Sequence, residues 1–65
     1  MTITLNGKKV EVQGRTLNAL VKELGFQPES LVVEKNKKLI KRDNWAATPL
    51  HEGDCLELLN FVGGG

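Results

Sequence analysis

One amphipathic helix limits the folds open to this chain more than any other feature of the sequence. Its apolar residues follow the i, i+3, i+4, i+7 spacing that places them on one helical face: Leu17, Leu20, Val21 and Leu24. Thr16 is suited to cap the N-terminus of this helix, and Gly25 stands where a helix C-terminus favours a left-handed residue. Because 65 residues provide only one core, we expect this helix to cover one face of a sheet.

Short segments on both sides of the helix alternate apolar with polar residues, which predicts strands. Residues 2–5 and 10–12 are two of them, and the Asn6-Gly7 dipeptide between them favours a type I′ hairpin turn. The remaining strands are predicted at residues 31–34, 39–40 and 55–62. Asp43 is predicted to cap a brief helical turn that carries Trp45, which we expect to fill a small satellite core.

This order of elements predicts an α+β roll of the β-grasp type. One helix would lie across a mixed sheet of four to five strands, with the folded domain at residues 1–62. A single cysteine excludes an internal disulfide, and one histidine with one cysteine is a poor basis for a metal site. The core must therefore stabilise the fold without either device.

Charge and hydropathy exclude several classes of protein. A net charge of +1 argues against a nucleic-acid-binding or membrane-surface protein. Because the sequence shows neither a signal peptide nor an apolar run long enough to span a membrane, we expect a cytoplasmic protein.

The sequence finishes with Gly63, Gly64 and Gly65. Glycines lose the most backbone entropy on ordering and have no side chain to bury, so they are poor choices for holding a fold. They can, however, enter a slot too narrow for a side chain. We therefore expect residues 63–65 to be a flexible tail, in which Gly63 and Gly64 give access to a partner's active site and the Gly65 carboxylate reacts. A linker or a frayed terminus is the alternative.

The whole chain resembles the ubiquitin-like sulfur carriers, and among them the small carriers of thiamin-thiazole biosynthesis. The matching residues are Leu5-Asn6-Gly7, Thr16-Leu17, Leu24-Gly25, Arg42, Trp45-Ala46, Gly53-Asp54 and Val62 to Gly65. Lys37 stands where relatives often have glycine, and Lys41 where many have proline. These two departures leave the turn type of the middle hairpin open.

The resemblance implies a function for the tail. An E1-like adenylating enzyme would use ATP to activate the Gly65 carboxylate as an acyl-adenylate. Sulfur from a cysteine desulfurase or a related donor would then convert it to a thiocarboxylate, which thiazole synthase would consume. The chain itself would be a protein cosubstrate without a bound cofactor or a metal. This agrees with a sequence that contains no plausible Ser/His/Asp or Cys/His catalytic set.

Alternation in the last strand predicts a docking surface. Leu56 and Leu58 should face the helix, which would leave Leu59 and Phe61 on or near the open face of the sheet, just before Val62 and the tail. These last three residues are candidate contacts for the partner enzymes. Three acidic residues are candidates to supplement them electrostatically, with solvated surface charges as the more common alternative: Glu52, Asp54 and Glu57. The alternative is that Phe61 merely covers a sheet edge or packs against the first strand.

Other residues are given no functional role. Cys55 is predicted to be a half-buried or exposed thiol with no base beside it in sequence, and His51 to be a surface histidine rather than a ligand or base. The basic residues within 35–42 are predicted to be a solvated hairpin rather than a phosphate-binding surface. Three rival functions stay open: the small subunit of molybdopterin synthase, a covalent protein modifier, and a β-grasp module that binds nucleic acid.

Overall fold

The computed structural model describes residues 1–61 as one mixed sheet with a helix across it. The strands and the helix are Thr2–Leu5 (β1), Lys8–Glu11 (β2), Leu17–Leu24 (α1), Leu31–Lys35 (β3), Lys38–Ile40 (β4) and Cys55–Asn60 (β5). The sheet order is β2-β1-β5-β3-β4, with β5 parallel to β1 and the other neighbours antiparallel. The predicted β-grasp fold is confirmed. Within residues 1–61, no helix has the length and hydrophobicity needed to cross a bilayer.

Helix α1 begins and ends where the sequence predicts. The Thr16 side chain accepts a hydrogen bond of 3.1 Å from the backbone N–H of Ala19, and Gly25 follows the last turn with a left-handed φ of 79°. Such a φ is accessible to glycine at little steric cost, which stops the helix at this point. The helix buries Leu17, Leu20 and Val21, whereas Leu24 is partly exposed.

Both hairpins turn through two residues with positive φ. Asn6 and Gly7 have φ values of 49° and 85°, and Asn36 and Lys37 have values of 51° and 72°. Positive φ at both central residues is the signature of a type I′ turn, whose twist matches that of the flanking strands. The middle hairpin therefore adopts the same turn as the first, even though lysine occupies its second central position.

One hydrophobic core fills the space between the helix and the sheet. Its buried members are Ile3, Val12, Leu17, Leu20, Val21, Leu31, Val33, Trp45, Leu50, Leu56 and Leu58. Trp45 belongs to this main core rather than to the predicted satellite core, and its indole N–H donates to the Ile40 carbonyl over 2.9 Å. Burial of a large ring is tolerated because its one polar group is bonded.

The segments with weak local signals depart from the predictions. Strand β2 is Lys8–Glu11 rather than residues 10–12, because its pairing with β1 continues up to the turn, where Leu5 lies opposite Lys8. A 3₁₀ turn at Pro28–Ser30 was not predicted. The 3₁₀ turn Arg42–Ala47 begins after Lys41 without a side-chain cap, so the prediction that Asp43 caps it is wrong.

Candidate functional site

Strand β5 runs through the centre of the sheet and divides its residues between two faces. Leu56 and Leu58 are buried against the core, while Leu59 is 65% exposed. This confirms the predicted alternation. The strand ends at Asn60 rather than at residue 62. Phe61 still bonds to the neighbouring segment, because its N–H donates to the Ser30 carbonyl over 2.9 Å.

Asn6 holds β5 on its β1 side. Parallel pairing between β1 and β5 covers only Thr4 with Cys55 and Leu5 with Leu56. Beyond it, the Asn6 side chain takes over the pairing, since its Oδ1 accepts from the Leu58 N–H at 2.8 Å and its Nδ2 donates to the Leu58 carbonyl at 3.2 Å. A side-chain amide therefore replaces a backbone peptide as the neighbour of the strand.

Asn36 does the same at the other end of β5. Its backbone N–H donates to the Cys55 carbonyl at 2.7 Å, and its Oδ1 accepts from the Cys55 N–H at 3.0 Å. Its Nδ2 donates to the Asp54 carboxylate at 3.2 Å. The two hairpin turns thus fix the strand that leads to the tail.

Asp54 stabilises the fold through buried contacts and does not present its charge on the docking surface. It is buried, accepts from the backbone N–H of His51 at 2.8 Å, and lies 3.8 Å from the Lys35 ammonium. Burial alone would raise the pKa of this carboxyl. The hydrogen bonds from His51 and Asn36, with the positive charges of Lys35 and His51, outweigh burial and lower the pKa below its ordinary value of 3.8. The prediction that Asp54 supplements the docking surface is therefore wrong.

The same contact changes the interpretation of the basic hairpin. Lys35 is directed toward Asp54 and its side chain is only 19% exposed, so it is not part of a solvated basic surface. Its positive charge pairs with Asp54, the residue that directly precedes β5.

The open face of the sheet, opposite the helix, carries the large exposed apolar residues of β4 and β5. We define the open face by Val32, Glu34, Leu39, Glu57 and Leu59, with Phe61 at its end. Leu39, Leu59 and Phe61 are 62%, 65% and 45% exposed. A groove of about 380 Å³ runs along this face, and it is lined by Asn6, Val32, Glu34, Glu57, Leu58 and Leu59.

Leu59 and Phe61 are therefore exposed as predicted. Sequence reasoning did not identify Leu39 as part of this face. The signal that places it there is its pairing with Glu34 across the hairpin. Val62, Gly63, Gly64 and Gly65 lie outside the described residues, so their predicted roles stay predictions.

The remaining candidates form no reactive centre in the part of the chain that the structure describes. Cys55 is exposed, and the His51 side chain is 70% exposed beside Asp54. Within residues 1–61, no three His, Cys, Asp or Glu side chains converge to hold a metal ion. The features with functional potential are thus the open face and the strand that leads from it to the glycines.

Comparison with known proteins identifies relatives of the whole chain. The model of the ThiS family matches residues 3–65. The crystal structure of the thiamine biosynthesis protein ThiS from Geobacter metallireducens has a TM-score of 0.84 and 36% sequence identity, and the match covers 100% of both chains.

Two sequence relatives differ in length. The sulfur carrier protein ThiS of Bacillus subtilis is 31% identical over 65 residues, a match that covers 97% of this chain and 98% of the relative. A thiazole synthase of Magnetococcus marinus is 42% identical over 66 residues, which is 100% of this chain and 20% of that protein. The chain thus spans about a fifth of the length of this second relative.

Proposed function

The chain belongs to the ThiS family, and from that premise we propose that it is a sulfur carrier of thiamin biosynthesis. Its C-terminal glycine would be the group that carries sulfur. The family match carries this proposal, because it runs to Gly65 and so includes all three terminal glycines. The similarity to a thiazole synthase supports that enzyme as the acceptor of the sulfur.

The proposed reaction starts at the Gly65 carboxylate. An E1-like adenylating enzyme directs one carboxylate oxygen to the α-phosphorus of ATP, which forms the acyl-adenylate and releases pyrophosphate. The terminal sulfur of a persulfide, supplied by a cysteine desulfurase or a related donor, attacks the acyl carbon and AMP leaves. A thiol then cleaves the S–S bond and is oxidised to a disulfide, which leaves the thiocarboxylate. Thiazole synthase takes its sulfur.

In this scheme the chain is a protein cosubstrate. The adenylating enzyme supplies ATP binding and catalysis, and the carrier supplies a substrate group on a narrow main chain. The glycines serve access, because an active site that closes around them meets no side chain. The open face would dock the carrier through Leu39, Leu59 and Phe61, since exposed apolar residues grouped on one surface are typical of interaction sites.

A substitution in the tail tests the proposal. Gly64→Val introduces a β-branched side chain at the position that must enter the adenylating pocket. We expect the variant to lose chain-dependent exchange of pyrophosphate into ATP while its thermal denaturation is unchanged. Ala47→Val is the control, because it places the same β-branched side chain at an exposed position of the 3₁₀ turn Arg42–Ala47, and it should retain the exchange. Full exchange activity in Gly64→Val would contradict the proposed role of the glycines.

A further inference from the structure

We infer that the open face fits a partner protein whose apolar docking surface carries an arginine facing Glu34 and Glu57. The inference rests on the proposed docking through this face and specifies the chemistry of the partner. In the register of β3 and β5, Glu34 lies directly opposite Glu57. Side chains paired in this way share one face of the sheet, with Cβ atoms about 5 Å apart, and like charges there are destabilising.

Within residues 1–61, no cation lies within ion-pair distance of either glutamate. The ion pairs of that segment are Met1–Glu11, Lys35–Asp54 and His51–Asp54. In the row that crosses the sheet through the two glutamates, the next residue on β4 is Leu39. Asn6, which lines the same groove, is uncharged and bonds to Leu58. Within the described residues, neither Glu34 nor Glu57 is therefore neutralised by an ion pair.

Apolar side chains frame the two carboxylates. Leu39 flanks them on one side, and the adjoining row is the cross-strand pair of Val32 with Leu59. A partner that covers this apolar frame must also cover the carboxylates. Removal of an unpaired carboxylate from water is far more unfavourable than apolar contact can offset, so the partner has to provide a positive charge at this position.

An arginine fits this requirement better than other cations. Its planar guanidinium has five donors, can bridge two carboxylates, and packs its flat face and its stem against apolar neighbours. Two carboxylates are too few ligands to bind a divalent cation by themselves. A second copy of this chain would bring two more carboxylates to the same surface, so a face-to-face homodimer is disfavoured. The face thus selects a partner through charge as well as hydrophobicity.

Binding to the host's adenylating enzyme and to its thiazole synthase tests the inference. Affinity is measured at low and at moderate salt for the wild type, Glu34→Gln, Glu57→Gln and Glu57→Arg. Asp43→Asn is the matched control, because Asp43 is an exposed acidic residue in the 3₁₀ turn that packs against α1, on the helix side of the sheet. Thermal denaturation verifies the fold, and the glutamine variants should melt at the same temperature or higher.

The two glutamine variants should each bind at least one of these enzymes about tenfold more weakly, and the salt dependence of the affinity should decrease. Glu57→Arg should bind more weakly still, by about a hundredfold or more, because it places like charges together. Asp43→Asn should bind as the wild type does. Unchanged affinity in all the glutamate variants, beside lost binding of Leu59→Asp, would overturn this inference and leave the docking intact. Wild-type protein that binds neither enzyme would overturn the proposed docking as well.

Discussion

At the scale of single residues, two asparagines bond through their side chains to the backbone of β5, the strand that precedes the tail. Asn6 and Asn36 hold the first central position of their type I′ turns. Asparagine tolerates the left-handed conformation there better than most residues, and its short amide can pair with a neighbouring backbone. One amide bonds to Leu58 and the other to Cys55. A turn residue thus continues the sheet where the backbone pairing stops.

Removal of the Asn6 amide should weaken this arrangement. Asn6→Ala loses both hydrogen bonds to Leu58 and should lower the free energy of unfolding by about 1–3 kcal/mol. Asn6→Asp keeps the acceptor but replaces the donor by a carboxylate oxygen beside the Leu58 carbonyl, so at neutral pH it should also be destabilised. Urea denaturation measures both. An Asn6→Ala variant as stable as the wild type would show that the two bonds contribute nothing.

The second prediction at this scale concerns pH. Because the pKa of Asp54 in the folded protein lies below its ordinary value of 3.8, the ionised form favours folding. This contribution is complete above that ordinary value and is lost as the pH falls through the lower pKa of the folded state. Asp54→Asn should therefore be less stable than the wild type at pH 7, and the difference should shrink in acid. Denaturation curves at a series of pH values measure it, and a constant difference would contradict the linkage.

At the scale of elements, the sequence predicted structure wherever the signals lie close together along the chain. Helix α1 was predicted with both ends because Thr16, the apolar spacing and Gly25 are contiguous. The strand β2 and the turn at Arg42–Ala47 were placed less well. The pairing of Lys8 with Leu5 and the packing of the turn on α1 depend on partners outside those segments. Local patterns carry no information about them.

The turn between β3 and β4 offers a test at this scale. Lys37 has a φ of 72°, a left-handed conformation that is unfavourable by roughly 1–2 kcal/mol for a residue with a side chain. Glycine avoids that strain but gains entropy in the unfolded chain, so Lys37→Gly should stabilise the protein by about 0.5–1 kcal/mol. Lys38→Gly is the control, since Lys38 lies within β4, and it should destabilise. Calorimetry measures both, and stabilisation by Lys38→Gly alone would contradict the turn assignment.

At the scale of the whole molecule, the β-grasp architecture followed from the order of the predicted elements, and the exposure of Leu59 and Phe61 followed from the alternation within the last predicted strand. The contacts that other strands and turns make around this surface could not be predicted in the same way. The opposition of Glu34 and Glu57 depends on the register between β3 and β5, and the burial of Asp54 depends on Lys35 and Asn36 from the distant hairpin. Registers across the sheet are set by the packed core as a whole, which no short segment of sequence specifies.

The docking role of the open face is tested with Phe61. Its side chain is 45% exposed, so Phe61→Ala should change the free energy of unfolding by less than about 1 kcal/mol. Binding to the adenylating enzyme should weaken by about tenfold or more, as expected when an apolar interface anchor is truncated. Leu24→Ala is the control, because Leu24 is 37% exposed at the end of the helix. Equal effects of both substitutions on binding would contradict a specific role for the open face.

The intact mass of the 65-residue polypeptide, after incubation with ATP, a sulfur source and the host's adenylating enzyme, tests the central claim most directly. We predict a mass increase that matches the exchange of one oxygen for one sulfur and that is confined to the C-terminal fragment containing Gly65. Omission of ATP should abolish it. An unchanged mass, in a folded protein that retains Gly65 and binds the enzyme, would contradict the assignment of this chain as a sulfur carrier.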